Sequence, residues 1–374
     1  MSKTFLKTNA IWGQVEQPKI SNDKITYYGD YHTFEEIDIT KYSDEVLVWH
    51  MPEFSKEEWR YGLYGIKYKP SWDYMEEEDV MTIELYKKYI YLQSVSGFTD
   101  ILCIINNALN YAIKYNRIIL FDGINSVYKI NFSDYFIINH DKIICDYNKI
   151  IKLIKNKTIY PKELYNKLDL ILQGKIKFDE VETAPIHTIK YQNIKLIIPN
   201  ENPNEDIIIN SQTGRDTWGV ENPINSFKIF NLFSMKPILK TYCQNNYKNL
   251  PKPYLSIHIR NTDYQCDYKN IYYENKDQIH QYKTIYIATD DKTSLDFFRQ
   301  QGLNIYNFTT FPDIISENLH ENKEISGDIK IKDLMSDLYI IAMADILLSN
   351  SKGGFINLAR ECFNNKDLMK NKFK

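Results

Sequence analysis

The sequence lacks a long apolar segment, a paired-cysteine motif and a strong charge of either sign. No apolar run approaches the roughly 20 residues that span a bilayer, and residues 1–7 lack the apolar core of a signal peptide. The five cysteines are scattered without a C-x-x-C pair, which suits a reducing compartment better than a disulfide framework. The net charge of −3 argues against bulk nucleic-acid binding. We therefore expect a cytoplasmic protein without a transmembrane segment or a nucleic-acid partner, and peripheral membrane contact stays open.

Several site motifs are absent as well. There is no G-x-x-x-x-G-K-[ST] motif, which excludes a P-loop nucleotidase, and there is no G-x-G-x-x-G or G-x-S-x-G. The seven histidines show no H-x-x-x-H spacing, so we expect no zinc site. No D-x-D triplet occurs, although metal-dependent sugar-nucleotide transferases usually use one. We expect a protein that needs no metal and no other cofactor.

The length of 374 residues exceeds the size at which a single core stops growing, so we expect more than one domain. Pro251 and Pro253 mark a linker, which predicts domains at 89–250 and 251–374. Residues 1–88 form an atypical extension that is rich in aromatic residues and carboxylates. Its tryptophans predict, with equal weight, contact with a glycan acceptor or packing onto the next domain. Four of the five tryptophans lie there: Trp12, Trp49, Trp59 and Trp72.

The first predicted domain begins with a loop, a helix and a strand. Apolar residues recur at helical spacing over 101–112, and Asp100 just before them is a candidate N-cap. The short apolar run at 117–122 predicts a buried strand that ends in Asp122. This order is typical of an α/β protein.

The second predicted domain has three strands that each end in polar residues. The runs at 254–259, 284–289 and 346–348 are mainly apolar, and hydroxyl or charged side chains follow each of them. Ligands bind at the carboxyl ends of the strands in open α/β sheets. The three strand ends therefore predict one binding crevice.

Arg260 and His258 are the first candidates for this crevice. They lie two residues apart on one strand and so share a face. The planar fork of an arginine suits a phosphate, because it donates two parallel charged hydrogen bonds. The alternative is a surface arginine beside a core histidine, which the neighbouring polar strand ends make the weaker interpretation.

A loop of small residues precedes the last predicted helix. It contains Ser349, Ser351, Gly353 and Gly354, and the backbone N–H groups at a helix start favour a phosphate. An ordinary turn explains a lone Gly-Gly equally well. Asp337 lies in the middle of the preceding helix, where an aspartate is usually only solvated.

Three ordered blocks resemble the fucosyltransferase superfamily, whose members transfer fucose from GDP-fucose and include α1,2-, α1,6- and protein O-fucosyltransferases. The first block is the loop from Gly97 to Asp100 with its helix and the strand at 117–122. The second, residues 258–263, is similar to the family's H-x-R-R-T-D. The third runs from 288–291 through Asp337 to 349–351.

The resemblance implies a GT-B fold, in which two Rossmann-like domains face each other across a cleft. It implies an inverting, metal-independent transfer of fucose or a related sugar from a GDP-sugar to a hydroxyl of a glycan acceptor. By position, Arg260 holds the donor diphosphate, and His258 and Asp337 contact the guanine. Donor contacts are also implied for Gly97, Phe98, Ser349 and Ser351.

The chain departs from the family at two places. The family's second arginine is Asn261 here, and the acidic base has two candidates, Asp263 and Asp267. A non-catalytic module that binds a nucleotide sugar or a glycan is therefore the competing interpretation. An unrelated α/β nucleotide enzyme fits the strand ends but not the ordered blocks.

Overall fold

In this computed structural model the chain divides into two compact units, Met1–Lys87 and Lys88–Lys374. In the first unit the structure describes only the backbone of six strands. These are β1 (Phe5–Lys7), β2 (Lys19–Ser21), β3 (Lys24–Tyr28), β4 (Phe34–Asp38), β5 (Leu47–His50) and β6 (Gly62–Gly65). In the second unit it describes residues 88–94, 97–155, 157–176, 179–183, 186–191, 194–195, 199, 201–210, 226–262, 266–313, 319 and 321–374. The tryptophan side chains of the predicted extension lie outside the described residues.

Strands and helices alternate through the second unit. Its first part contains β7 (Lys88–Gln93), α1 (Phe98–Lys114), β8 (Arg117–Asp122), β9 (Phe136–Ile138), β10 (Ile143–Ile144), α2 (Tyr147–Ile154), β11 (Ile159–Tyr160), α3 (Leu168–Leu172), β12 (Asp179–Thr183), β13 (Ile186–Tyr191), β14 (Ile194–Lys195) and β15 (Ile207–Asn210). Its second part contains α4 (Ser226–Phe230), β16 (Phe233–Met235), α5 (Pro237–Lys248), β17 (Leu255–Ile259), α6 (Tyr268–Glu274), α7 (Lys276–Ile279), β18 (Ile285–Thr289), α8 (Lys292–Gln300), β19 (Ile305–Tyr306), α9 (Gly327–Met343), β20 (Ile346–Leu348), α10 (Gly354–Asn364) and α11 (Lys366–Phe373).

Two parallel sheets organise this unit. The first has the order β10-β8-β7-β15-β11 and the second the order β19-β18-β17-β20, and every neighbouring pair in both is parallel. Their central strands are buried, apart from Lys88 at the start of β7, as expected when helices cover both faces of a sheet. The α/β class expected from the sequence is confirmed.

The two sheets share one hydrophobic core. Ile90 and Leu92 from the first sheet belong to the same buried cluster as Tyr286 and Ala288 from the second, and α1, α5, α9 and α10 contribute to it. The outer face of each sheet packs on a separate, smaller core. α1 packs on β7 and β8 of the first sheet and α9 on β17 and β18 of the second, and these two helices carry residues of the site.

Several elements match their predictions closely. The strand at 117–122 is β8, and the strands predicted to start near residues 254, 284 and 345 are β17, β18 and β20. Residues 227–248 hold two helices with a short strand, β16, between them, and Pro237 opens the second helix. The sequence pattern did not predict β15, a strand inside the first sheet.

Arg117 explains how the loop before β15 is held. Its side chain is fully buried and donates to the carbonyl oxygens of Pro203 at 2.7 Å and Glu205 at 3.1 Å, and to Oδ1 of Asn202 at 2.7 Å. Asp122 at the other end of β8 is also buried and accepts from Tyr91 and from the backbone of Asn125. Both charged ends of the strand in the first resemblance block are therefore structural.

Candidate functional site

A cleft lies at the carboxyl edge of the second sheet. Its volume is about 1030 Å³, including the space at its open mouth. Four of its lining residues are carboxylates and two are cations. The first sheet contributes the start of α1 and the loop after β8. The lining comprises Gly97, Phe98, Thr99, Asp100, Tyr128, His258, Ile259, Arg260, Ala288, Thr289, Asp290, Thr309, Thr310, Leu319, Ile325, Lys330, Asp333, Leu334, Asp337 and Phe355.

His258 reaches the cleft from the end of β17. Its ring stacks on Phe355 with the ring centres 5.1 Å apart, and its Nδ1 lies 3.3 Å from Oγ of Ser349. Burial first, and then the charges of Arg260 and Arg360, lower the pKa of His258 to about 3. The imidazole is therefore neutral at physiological pH, which suits hydrogen bonding to a neutral ring system.

Arg260 follows β17 and also lines the cleft. Its backbone N–H donates to Oγ of Ser351 at 3.2 Å. Its guanidinium lies against Gly353, because a Cβ built on that glycine would be 2.9 Å from Nη1 of Arg260. Gly353 has a φ of +149°, a conformation that side chains disfavour. The glycine therefore lets the guanidinium approach the start of α10.

Ser349 and Ser351 support this loop but do not line the cleft. The hydroxyl of Ser349 donates to the carbonyl oxygen of His258 at 2.9 Å, and the backbone N–H of Ser351 donates to Oγ of Ser349 at 3.2 Å. Ser351 is buried, and its hydroxyl lies 3.4 Å from Sγ of Cys266. The two serines connect the loop after β20 to the end of β17. They lie directly behind the residues that line the cleft.

Asp337 lies on the cleft face of α9, two turns after Lys330 and one turn after Asp333. Its Oδ1 accepts a hydrogen bond from the hydroxyl of Tyr286, and its Oδ2 accepts from Thr309 at 3.3 Å. Burial raises the pKa of Asp337 to about 7; the bond from Tyr286 opposes this rise and the charge of Asp333 adds to it. The carboxyl group therefore titrates near neutral pH.

Asp333 is held by two donors. Its Oδ1 accepts from the hydroxyl of Tyr242 at 2.6 Å, and its Oδ2 accepts from the backbone N–H of Thr310 at 2.7 Å. These bonds, with those of Asp337, hold residues 309–310 against α9. The end of the cleft next to β19 is therefore a fixed surface of hydroxyls and carboxylates.

Asn261, at the position of the family's second arginine, joins two strand ends. Its backbone N–H donates to Oδ1 of Asp290 at 2.7 Å, and its side-chain amide donates to Oδ2 of Asp291 at 2.7 Å. Thr262 donates to Oδ2 of Asp290 at 2.7 Å. Asp291 is also the N-cap of α8, where it accepts from Thr293. The asparagine thus fixes the loop after β17 to the end of β18.

The first sheet presents the start of α1 to the cleft. The N-cap of α1 is Gly97, and the expectation that Asp100 caps this helix is wrong, because the helix begins at Phe98 and Asp100 falls in its first turn. The ring of Phe98 is buried among Phe136, Phe230 and Phe233, and its backbone N–H donates to the hydroxyl of Tyr128 at 3.0 Å. Phe98 therefore anchors the loop in the core.

The start of α1 touches the start of α10. A Cβ on Gly354 would lie 2.4 Å from Oγ1 of Thr99, so the absence of a side chain on Gly354 permits this contact. The preceding residue, Gly353, lies against Arg260. Two helix N-termini and one guanidinium therefore meet at this end of the cleft. Each of these groups favours an anion.

Of the two candidates for the acidic base, Asp263 and Asp267, the structure describes only Asp267. Asp263 lies outside the described residues. Asp267 is exposed and caps α6 by accepting from the backbone N–H of Asn270 at 3.0 Å. Asp267 is not among the residues that line the cleft.

Sequence reasoning assigned no role to nine polar residues of the cleft. The helical spacing of Lys330, Asp333 and Asp337 was the available signal, since it places them on one face of α9. Thr309 and Thr310 come after β19, which has only two residues. A strand this short gives too weak a sequence pattern to predict that the residues after it belong to a site. Asp290 belongs to the third resemblance block but had no predicted role. The missed residues are Thr99, Asp100, Tyr128, Thr289, Asp290, Thr309, Thr310, Lys330 and Asp333.

The part of the chain that the structure describes offers no metal cluster and no membrane span. Among these residues there is no group of three or more histidine, cysteine, aspartate or glutamate side chains that could hold a metal ion. Within the same residues, no helix has both the length and the apolar character needed to cross a membrane.

The comparisons found similar solved structures, whereas no family model and no curated protein matches the sequence. Fucosyltransferase NodZ from Bradyrhizobium has a TM-score of 0.48 and 16% identity, over 73% of this chain and 93% of its own. POFUT1 in complex with GDP-fucose has a TM-score of 0.43 and 12% identity, over 74% and 94%. Arabidopsis thaliana FUT1 in complex with GDP has a TM-score of 0.40 and 10% identity, over 74% and 68%. All three are GDP-fucose fucosyltransferases, the family that the sequence motifs resemble.

Proposed function

We propose that this chain is a glycosyltransferase that moves fucose, or a related sugar, from a GDP-sugar to a hydroxyl of a glycan acceptor. The observation that carries the proposal is the meeting of Arg260, the start of α10 and the start of α1 at one end of the cleft. These three groups provide a guanidinium and two helix N-termini for a diphosphate. The chain's own residues therefore supply positive potential where a nucleoside diphosphate would leave.

The dimensions of the cleft suit a nucleoside diphosphate. The diphosphate end lies beside α10, which follows β20, and the opposite end lies beside Asp337 and Thr309, which follows β19. β20 and β19 are the two outer strands of a four-stranded sheet. With strands about 4.8 Å apart, they are separated by roughly 14 Å. A diphosphate at α10 thus places its base near Asp337.

Guanine is the base that fits this end best. The Asp337 carboxylate can accept from the N1–H and N2 amino groups that guanine presents on one edge. Each carboxylate oxygen has a second lone pair beside the one already used by Tyr286 or Thr309. The neutral ring of His258 lines the same cleft, and we assign it a further hydrogen bond to the base.

The reaction we propose is an inverting transfer that needs no metal. The acceptor oxygen attacks the anomeric carbon of the sugar while the bond to the diphosphate breaks. Arg260 and the two helix N-termini neutralise the charge that grows on the leaving group, and they are already in place before the reaction. The donor lies on the second sheet, and the acceptor approaches from the first, across a cleft between two Rossmann-like halves of GT-B type.

Release of GDP from GDP-fucose, measured with and without a panel of glycan acceptors, tests the proposal. A transferase releases GDP faster with at least one acceptor, and the fucosylated product is found by mass spectrometry. The competing function is a non-catalytic module, which the capping role of Asp267 favours because it removes one candidate base. Such a module would bind GDP-fucose and release no GDP with any acceptor.

A further inference from the structure

We infer that Asn261 is a positioning residue, which holds the backbone of Arg260 so that its guanidinium meets the diphosphate. The inference rests on the proposed function and adds to it a residue that acts on the reaction through its neighbour. Asn261 occupies the position of the family's second arginine, yet it is not among the residues that line the cleft. Its contribution is therefore carried by contacts inside the protein.

Two hydrogen bonds join Asn261 to the end of β18. Its backbone N–H donates to Oδ1 of Asp290 at 2.7 Å, and its side-chain amide donates to Oδ2 of Asp291 at 2.7 Å. Both acceptors are carboxylates, which makes these bonds stronger than bonds between neutral groups. The first bond fixes the peptide group that joins Arg260 to Asn261, and the second keeps that peptide group from turning away.

The peptide group on the other side of Arg260 is held by the loop after β20. The backbone N–H of Arg260 donates to Oγ of Ser351 at 3.2 Å, and Ser351 is buried. The two peptide groups that flank the Cα of Arg260 are thus each held by a hydrogen bond, one to each strand that pairs with β17. Together they set the direction of the Cα–Cβ bond, and with it the region that the guanidinium can reach.

The carboxylate that accepts from the Asn261 amide is itself held in place. Asp291 is buried and is the N-cap of α8, where its Oδ1 accepts from the backbone N–H of Thr293 at 2.9 Å. The backbone N–H of Asp291 donates to Oγ1 of Thr289 at 3.0 Å. A side chain that is already ordered loses little further conformational freedom when it accepts one more bond. The amide therefore fixes the loop that carries Arg260 to the start of α8.

A neutral hydrogen-bond donor is the side chain that this position requires. An aspartate in place of Asn261 would present oxygen atoms to Oδ2 of Asp291, where like charges repel. An arginine there would meet the carboxylates of Asp290 and Asp291 and would pair with them. The structure thus directs residue 261 to the end of β18 and leaves the diphosphate to Arg260.

The experiment compares Asn261→Asp and Asn261→Ala with a control, Asn275→Ala. Asn275 is likewise a partly buried asparagine whose amide donates one hydrogen bond, to the carbonyl oxygen of Ile271 at 2.9 Å. It lies between α6 and α7 and does not line the cleft. Transfer is measured with the acceptor on which the wild-type protein is active, together with thermal unfolding and the affinities for GDP and guanosine.

We expect both Asn261 variants to lower kcat by about 10- to 10²-fold and GDP affinity by about tenfold. The loss should be larger for Asn261→Asp, and Asn275→Ala should match wild type. Guanosine affinity should stay within twofold of wild type in all variants, because guanosine lacks the phosphates that Arg260 would hold. A general loss of folding would instead weaken both ligands equally.

A double-mutant cycle tests whether Asn261 acts through Arg260. In the Arg260→Ala background, Asn261→Ala should change kcat by less than about twofold, because no guanidinium is left to position. An equal loss of rate in both backgrounds would show that Asn261 acts independently of the arginine and would overturn the inference.

Three further results would contradict it. They are turnover and GDP affinity within twofold of wild type in both Asn261 variants, an equal weakening of GDP and guanosine, and a gain in GDP affinity by Asn261→Arg, which would show that this position faces the donor. Failure of the proposed function looks different, because the wild-type protein itself would then bind no GDP and transfer no sugar.

Discussion

Gly353 lies directly against Arg260, since a Cβ on the glycine would be 2.9 Å from Nη1 of the arginine. The glycine also has a φ of +149°. We predict that Gly353→Ala displaces the guanidinium and weakens GDP binding at least about tenfold, or about 1.4 kcal/mol. Titration calorimetry measures this directly.

Gly302→Ala is the matched control for backbone strain. Gly302 has a φ of +74°, and nothing lies within 4 Å of a Cβ built there. This variant should lose about 1 kcal/mol of stability and keep the GDP affinity of wild type. Equal GDP affinities for Gly353→Ala and Gly302→Ala would contradict the proposed contact between Arg260 and the diphosphate.

Arg260 itself should be needed for transfer and not for folding. We predict that Arg260→Ala lowers kcat by about 10²- to 10³-fold, and that Arg260→Lys recovers little, because lysine lacks the bidentate fork. Steady-state kinetics and thermal melts test this, with Arg299→Ala as a control on the exposed face of α8. Near-normal turnover of Arg260→Ala would remove the arginine from the mechanism.

The polar ends of β17, β18 and β20 were largely predictable from the sequence because their signals are local. An apolar strand followed by charged residues is visible in the chain, so the pattern of residues alone singles out His258 and Arg260. Asp337 was a harder case, since a mid-helix aspartate is usually solvated. Its place in the site came only from the family resemblance, and the structure adds its bonds to Tyr286 and Thr309.

Contacts between distant parts of the chain could not be predicted. The approach of Thr99 to Gly354 joins residues 255 positions apart, and no local pattern encodes it. The support that Ser349 and Ser351 give to β17 has the same character. β15 was not predicted because it has only four residues and follows a polar loop. That loop is held by hydrogen bonds from Arg117, which is distant in sequence.

Asp337 should make GDP binding depend on pH. Its pKa is raised to about 7, and guanine N–H groups need the ionised carboxylate, so GDP affinity should fall as the pH drops from 8 to 6. The stability of the free protein should change in the opposite direction. Between about pH 4 and 7 the folded state binds a proton that the unfolded state has lost, so this group's contribution to stability falls as pH rises.

Asp337→Asn separates the two effects. The variant should lose most of the pH dependence of GDP affinity and should be at least as stable as wild type at pH 8, because an uncharged amide replaces a buried charge. Calorimetry at pH 6, 7 and 8 and chemical unfolding at the same values provide the measurements. An unchanged pH dependence of GDP affinity in Asp337→Asn would exclude this carboxyl group as its source.

Transfer should proceed without a divalent cation. In the proposed mechanism, Arg260 and the helix N-termini at Gly97 and Gly353 supply the positive potential that a metal provides in other transferases. We expect unchanged GDP release in an excess of EDTA, relative to the same reaction with added magnesium or manganese. A strict requirement for either ion would contradict the proposed role of these groups.

The preference for GDP over UDP tests the central claim most directly. Thermal unfolding should be followed with each nucleotide at the same series of concentrations, for the wild-type protein and for Arg260→Ala. A ligand that binds only the folded state adds about 2.7 kcal/mol of stability at 100 times its Kd. We predict a clear rise in Tm with GDP, a smaller one with UDP, and a reduced response to both in Arg260→Ala. Equal or greater stabilisation by UDP would contradict the assignment of a GDP-sugar donor.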